Sequence, residues 1–157
     1  KDKEGCPYTD KDGDKVLDKD DKCPDVVGTI ENKGCPVINT NVIKKLNDYS
    51  KSVLFDSGKA TVKADSYVTL DAMAEIMKEY EATNFSIEGH TDNVGKPESN
   101  LELSAERALA IKTYLISKGI NANRLNSQGF GAAKPITSNK TTAGKAANRR
   151  VEIKVVQ

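Results

Sequence analysis

One unbroken run from Phe85 to Gly119, FSIEGHTDNVGKPESNLELSAERALAIKTYLISKG, restricts the fold more than any other part of the chain. Phe85, Ile87 and Gly89 alternate with Ser86, Glu88 and His90, the period-two pattern of a half-buried strand. Thr91 to Pro97 follows with turn-forming residues and a proline, so regular structure stops there. Ser99 and Glu102 have the spacing of a capping box, which predicts a helix starting at Ser99. Leu101, Ala105, Ala108, Ile111, Leu115 and Ile116 supply its apolar stripe, and Gly119 is placed to cap its end. Arg107 lies beside that stripe, so an acid of the loop and an arginine of the helix can converge. Spacing alone favours the plainer reading, in which Asp92 only shapes the turn and Arg107 is a solvated helix residue.

HTDNVG, NLELSAERA and GFGAAKPITSNKTTAGKAANRRVEI occur in that order. Over roughly residues 50–157 the chain thereby closely resembles the OmpA-like peptidoglycan-binding domain. The resemblance implies an α+β fold, a sandwich of β-α-β-α-β-β order whose mixed sheet carries its helices on one face. It also implies a partner, the peptidoglycan stem peptide that contains meso-diaminopimelate. In that family the aspartate of the TD dipeptide and the arginine of LSxxRA hold the free end of diaminopimelate; here these are Asp92 and Arg107. The same motifs bring in Thr91, Asn100 and Leu103, the strand end Phe55-Asp56, and Arg149 with Arg150 of NRRVE. Which of the two arginines reaches the ligand stays open, because strand alternation says only that they point opposite ways. Lys145 stands where the family usually has arginine and receives no ligand role.

The chemistry is coherent. The free end of diaminopimelate carries an ammonium and a carboxylate on one carbon, so a receptor needs an anion and a cation side by side. A carboxylate accepts from the ammonium, and a planar guanidinium grips the carboxylate through two parallel bonds.

Residues 1–36 differ in kind. They carry 7 Lys+Arg against 10 Asp+Glu, whereas residues 37–157 carry 17 against 13. Too few large apolar residues occur there for an ordinary core. Asp10, Asp12, Asp14, Asp18 and Asp21 fall at positions 1, 3, 5, 9 and 12 of a loop, the placement that wraps calcium in carboxylate oxygens. DKDGDKVLDKDDKCP resembles a thrombospondin type 3 repeat, so structural calcium is expected. It departs from an EF-hand loop at Lys15, where glycine is required, and at Asp21, where a glutamate is usual. The competing reading is a solvated acidic linker. Cys23 and Cys35 bracket a loop that a disulfide can close, at about 3 kcal/mol of unfolded-chain entropy. Cys6 then pairs upstream of Lys1, as in a truncated repeat array, or it displaces one of the other two.

The expected organisation is a small irregular calcium and disulfide module at 1–36, a linker with a short helix at 37–51, and the OmpA-like domain at 52–157. SVLFDSG reads as the opening strand, Asp65 or Ser66 caps a helix with Leu70, Met73, Ile76, Met77 and Tyr80 inward, LNSQG forms a short strand, a helical turn lies near Thr142, and Val151, Ile153 and Val155 close the sheet. The mild excess of +4 in the domain is too dispersed for nucleic acid. No apolar run has membrane-spanning length, so any membrane contact is expected through a part upstream of Lys1. The chain begins with lysine and shows no signal pattern, as a mature or excised segment would. Disulfide usage points to an oxidising compartment, and the resemblance to the Gram-negative periplasm beside the outer membrane. His90, Asp92 and Ser104 suggest a hydrolase only superficially, for no nucleophile elbow is present. The reading is a non-enzymatic wall binder; its alternative is a calcium-stiffened structural spacer without wall binding.

Overall fold

The computed structural model describes residues 8–156, so Cys6 lies outside the described part. The element order is α1 (Thr40–Ser52), α2 (Tyr67–Glu79), β1 (Asn84–His90), α3 (Pro97–Ser117), β2 (Leu125–Gly129), α4 (Thr142–Asn148) and β3 (Arg150–Val156), with one-turn 3-10 helices before α2 and β2. The architecture is mixed α+β. β1 lies at the centre of the three-stranded sheet, parallel to β2 and antiparallel to β3. Phe85, Ile87, Leu125, Val151 and Ile153 point from the strands into one buried cluster. Leu46 of α1, Leu70, Met73 and Met77 of α2, and Ala108, Ile111 and Leu115 of α3 meet them there.

α3 comes unusually close to the sheet because two glycines face it. Gly89 and Gly129 are partners in the β1–β2 register. A Cβ on Gly89 would stand 2.0 Å from the Ser104 carbonyl oxygen, and one on Gly129 2.3 Å from the Ala105 amide. Ser104 uses the proximity: its hydroxyl donates to the Leu101 carbonyl at 2.8 Å and accepts from the Gly131 amide at 2.9 Å. The inward row of α3 is therefore Ser104, Ala108, Ile111 and Leu115. Leu101, Ala105 and Ile116, expected inside, are exposed. The helix also starts earlier than the capping box predicts. Pro97 takes the first position, where its fixed φ suits a helix and its missing N–H costs nothing, and Ser99 lies within the first turn. Gly119 caps as expected: φ is +101°, and Ile120 N–H reaches the Leu115 carbonyl while Gly119 N–H reaches Ile116.

The expected opening strand at SVLFDSG shrinks to a single antiparallel bridge, Phe55 to Val62. α1 is the reason. It continues to Ser52, and Asn47 accepts from the outward Ile153 amide at 3.0 Å, closing the β3 edge with a helix side chain. Ser66 likewise does not cap α2 with its side chain; its hydroxyl accepts from the Leu54 amide at 2.9 Å. The far end of α2 is held by Arg124, whose guanidinium donates to the carbonyls of Met77, Tyr80 and Thr83. β2, β3 and the α4 turn lie where the pattern puts them, but β1 is buried on both faces at its end, including Glu88 and His90.

A Gly89→Ala substitution tests the close approach. It should cost about 3 kcal/mol or more in urea unfolding, because the obstructing atoms are backbone. A loss below about 1 kcal/mol would show that α3 has room to retreat.

Candidate functional site

β1 ends at His90, and the next residues sit at the mouth between α3 and the start of β3. Thr91 N–H donates to the Gly131 carbonyl, which holds the strand's exit against the segment after β2. Thr91 is buried and its hydroxyl donates to the Asp92 carbonyl. Asn100 reaches back from α3 to the Val94 carbonyl at 3.0 Å and, more weakly, to that of Asp92 at 3.5 Å. Both residues therefore shape the loop. Asp92 is only 8% exposed, with Oδ1 accepting from Val94 N–H at 3.0 Å and Oδ2 from Arg149 Nη1 at 2.7 Å.

Arg149 reaches the acid because α4 and a buried asparagine aim it. Asn148 is fully buried, accepts from the Ile136 and Thr137 amides, and donates to the Thr137 carbonyl and Asn139 Oδ1. That satisfied amide ties down the polar excursion before β3. Arg149 then faces the mouth with its side chain 45% exposed. Arg150 turns away: its side chain is 4% exposed and donates to Glu152, to the Asn148 carbonyl and to the Lys134 carbonyl. The pair thus divides into one arginine at the mouth and one in the wall behind the sheet.

Arg107 reaches the same region from α3, close enough to feel the charges of Asp92 and Arg149. Its Nε donates to the Lys59 carbonyl at 2.9 Å, and its guanidinium sits 5.0 Å from the Phe55 ring centroid, a cation–π contact. Among the described residues no protein acceptor takes its two Nη groups. Asp56 makes no side-chain hydrogen bond to Arg107 or Asp92 among the described residues, and Leu103 is a half-buried apolar residue of α3. Burial, then the neighbouring Arg149, push the Arg107 value down, and Asp92 opposes them. For Asp92, burial would raise the carboxyl. The Arg149 hydrogen bond, the Val94 amide and the charges of Arg149 and Lys145 outweigh it, leaving the group below its ordinary 3.8. Lys145 is thus part of the site's field, a role its sequence position did not suggest. One buried carboxylate is paired with Arg149 and lies in the field of Lys145, and Arg107 feels both Asp92 and Arg149, so cations outnumber the acid and charge is left for an anionic group.

Ser104, bonded to Leu101 and Gly131, has no hydrogen bond to His90 among the described residues. An apolar cleft of about 520 Å³ between Ala60–Val62, Tyr67 and α3 has Glu106 as its only carboxylate and no cation, so it lacks the paired charge found at Asp92.

A second cluster lies in the N-terminal segment. Cys23 and Cys35 are joined by a disulfide and, with Val16, are buried. Asp10, Asp12 and Asp14 bring carboxylate oxygens within 4.8 Å of one another. Lys15, where an EF-hand has glycine, adopts a left-handed φ of 76°. Burial and the charges of Asp14, Asp21 and Asp10 raise the Asp12 carboxyl. Asp12 Oδ2 and Asp21 Oδ2 are buried without a hydrogen-bond partner. These orphaned oxygens fit a hard cation. Asp18 is engaged elsewhere, accepting from the Lys11 amide and the Thr9 hydroxyl.

A family model described as the OmpA family matches residues 54–149. The chain is 39% identical over 150 residues to outer membrane porin F of Pseudomonas aeruginosa, covering 94% of this chain and 41% of the porin. It is 38% identical over 100 residues to the peptidoglycan-binding protein ArfA of Mycobacterium bovis, covering 64% of this chain and 30% of that protein. The chain therefore spans less than half the length of these relatives. The crystal structure of the peptidoglycan-associated lipoprotein from Burkholderia pseudomallei superposes with a TM-score of 0.62 at 28% identity, over 66% of this chain and 88% of that one.

The Arg149–Asp92 contact has a titration signature. Asp92 should titrate below 3.8 by carboxyl NMR, and Arg149→Ala should raise it. Because the folded value lies below the unfolded one, this group's stabilisation is complete above the unfolded value and is lost as pH falls through the folded one. An Asp92 titration unchanged by Arg149→Ala would remove the contact from the account.

Proposed function

The chain belongs to the OmpA family, and from that premise we propose that it binds peptidoglycan non-covalently through the diaminopimelate of the stem peptide. The observation that carries this reading is Asp92 bonded to Arg149 with Arg107 in their field, the Nη groups of Arg107 being unclaimed among the described residues. A carboxylate offers about four lone-pair positions. Val94 N–H and Arg149 occupy two on Asp92, so room is left for a ligand ammonium. The two Nη groups of Arg107 take the carboxylate on the same ligand carbon in a fork. Arg149, partly exposed, and Lys145 supply further positive charge for other carboxylates of the peptide. Thr91 and Asn100 position the loop, and Phe55 supports the Arg107 guanidinium. Arg150 acts through the fold, not through the ligand.

One pocket of this size binds modestly, and a polymer of repeated stem peptides adds retention by multivalency. The relatives named above include an outer membrane porin and proteins called peptidoglycan-binding or peptidoglycan-associated in their names. In keeping with them, the proposed setting is the Gram-negative periplasm, where the domain ties an outer-membrane component to the wall. The chemistry required is recognition, with no bond made or broken.

The second reading rests on the N-terminal segment, over which the likeness to porin F also extends. The orphaned Asp12 and Asp21 oxygens, beside Asp10 and Asp14, would hold calcium, and the ion with the Cys23–Cys35 bridge would stiffen a repeat like those of thrombospondin type 3. In that reading the segment is a spacer and the domain its cargo.

Two results separate the readings. A diaminopimelate stem peptide titrated calorimetrically should bind the native chain and lose at least about tenfold in affinity to Asp92→Ala, the effect of one sheltered charge-assisted bond. Unchanged affinity would leave the spacer reading alone. Removing calcium with a chelator should speed amide exchange in residues 8–36 and leave peptide affinity as it was. Loss of peptide binding on chelation would show that the two parts are coupled.

A further inference from the structure

On the sheet face opposite the helices, β1 and β3 bring together charged groups that the proposed wall contact does not use. Glu88 is in register with Glu152, and His90 with Arg150. His90 is 2% exposed and stacks on Phe130, with ring centroids 5.4 Å apart. Among the described residues neither of its ring nitrogens has a hydrogen-bond partner. A buried imidazole with donor and acceptor both unpaired is a costly arrangement that usually has a reason. Its Nε2 lies 3.8 Å from Glu88 Oε2 and 3.8 Å from Glu152 Oε2.

We propose that Glu88, His90 and Glu152 form a binding site for a divalent transition-metal cation of the zinc type. A neutral imidazole and two carboxylates are a donor set such ions accept. With metal–ligand distances of about 2.0–2.2 Å in tetrahedral geometry, donor atoms stand roughly 3.3–3.6 Å apart. The two 3.8 Å separations from Nε2 close to that range with shifts of a few tenths of an ångström, and one donor atom from each of the three residues lies within 4.8 Å of the others. Two carboxylates balance the ion's charge, and solvent supplies the fourth position.

The surrounding cations fit this assignment. Arg150 donates to Glu152 Oε1 and to two carbonyls, leaving Oε2 directed at the imidazole and orienting the carboxylate from behind. Lys154 Nζ lies 2.9 Å from Glu88 Oε2 and 4.0 Å from Glu152 Oε2, so its ammonium stands close to where the ion would sit. It is the mobile competitor: its side chain is 50% exposed and can swing into solvent. Lys134, over the Phe130 ring at 3.7 Å, is engaged on the outer side. Unlike the N-terminal carboxylates, this site contains nitrogen, which favours zinc-type ions over calcium.

His90 is the only histidine in the chain, so its imidazole resonances report this site without confusion from the N-terminal segment. Zinc is titrated into the full chain in excess calcium and followed by nitrogen-15 NMR of the imidazole, with cobalt as a visible-absorption probe. One equivalent of zinc should shift the His90 nitrogen signal, and cobalt should give the intense absorption of a tetrahedral site. Glu152→Gln should weaken binding at least about tenfold, and Lys154→Ala should tighten it. If Glu152→Gln does not fold, the Lys154→Ala arm still decides. An imidazole signal unmoved by zinc up to about 1 mM would overturn the proposal, as would equal affinity in native, Glu152→Gln and Lys154→Ala chains.

Discussion

The backbone of α3 rests directly on the sheet at Gly89 and Gly129, and the geometry of the candidate site follows from that contact. Asp92 is three residues beyond Gly89, and Arg107 is three beyond Ser104, the residue whose carbonyl and hydroxyl fill the space the glycines leave. Any side chain at either glycine would lift the helix and separate the acid from the arginine. Ser104 locks the arrangement by bonding the Gly131 amide, and Gly131 in turn accepts from Thr91 beside Asp92. A short ring of contacts thus sets the distance between two charges on different elements. Rigid placement matters because charge-assisted bonds reward a preformed geometry and lose their value when the partners must be ordered first.

The third charge arrives by an independent route. Asn148 satisfies its amide against Ile136, Thr137 and Asn139, and the chain leaves it with Arg149 toward the mouth and Arg150 into the wall. Two adjacent residues of one type therefore have different work. Arg149 neutralises Asp92 enough to keep a carboxylate inside the structure, while Arg150 orients the half-buried Glu152, whose other oxygen lies 3.8 Å from His90. The candidate site and the polar wall lie along β1 and β3 but face different directions.

Much of this was legible in the sequence because it is local. Phe85 and Ile87, the Gly119 cap, the inward Leu70, Met73 and Met77, and the Cys23–Cys35 bridge depend on spacing over a few residues. What escaped depends on partners far along the chain. Ser104 is polar, and periodicity alone does not assign it to the inward row, since nothing local says that two glycines wait opposite it. The opening strand at SVLFDSG had a fair pattern, but α1 supplies Asn47 to the β3 edge and leaves that strand a single bridge. The capping box at Ser99 lost to Pro97, which fits the first helical turn with less rearrangement. Asp92 and Arg107 came from the family resemblance; that Arg149 and not Arg150 bonds Asp92 depends on Asn148, whose role no periodicity reveals.

The central claim is that Arg107 and a ligand carboxylate recognise one another within a mouth that Asp92 and Arg149 complete. A double-mutant cycle tests it most directly. Stem peptides containing diaminopimelate or lysine in its place are titrated into the native chain and Arg107→Ala, and the coupling between the two changes is measured. The account predicts a coupling of about 1.5–3 kcal/mol, that of a charge-assisted bond in a sheltered site. Additive effects, with the carboxylate worth the same whether Arg107 is present or absent, would contradict it.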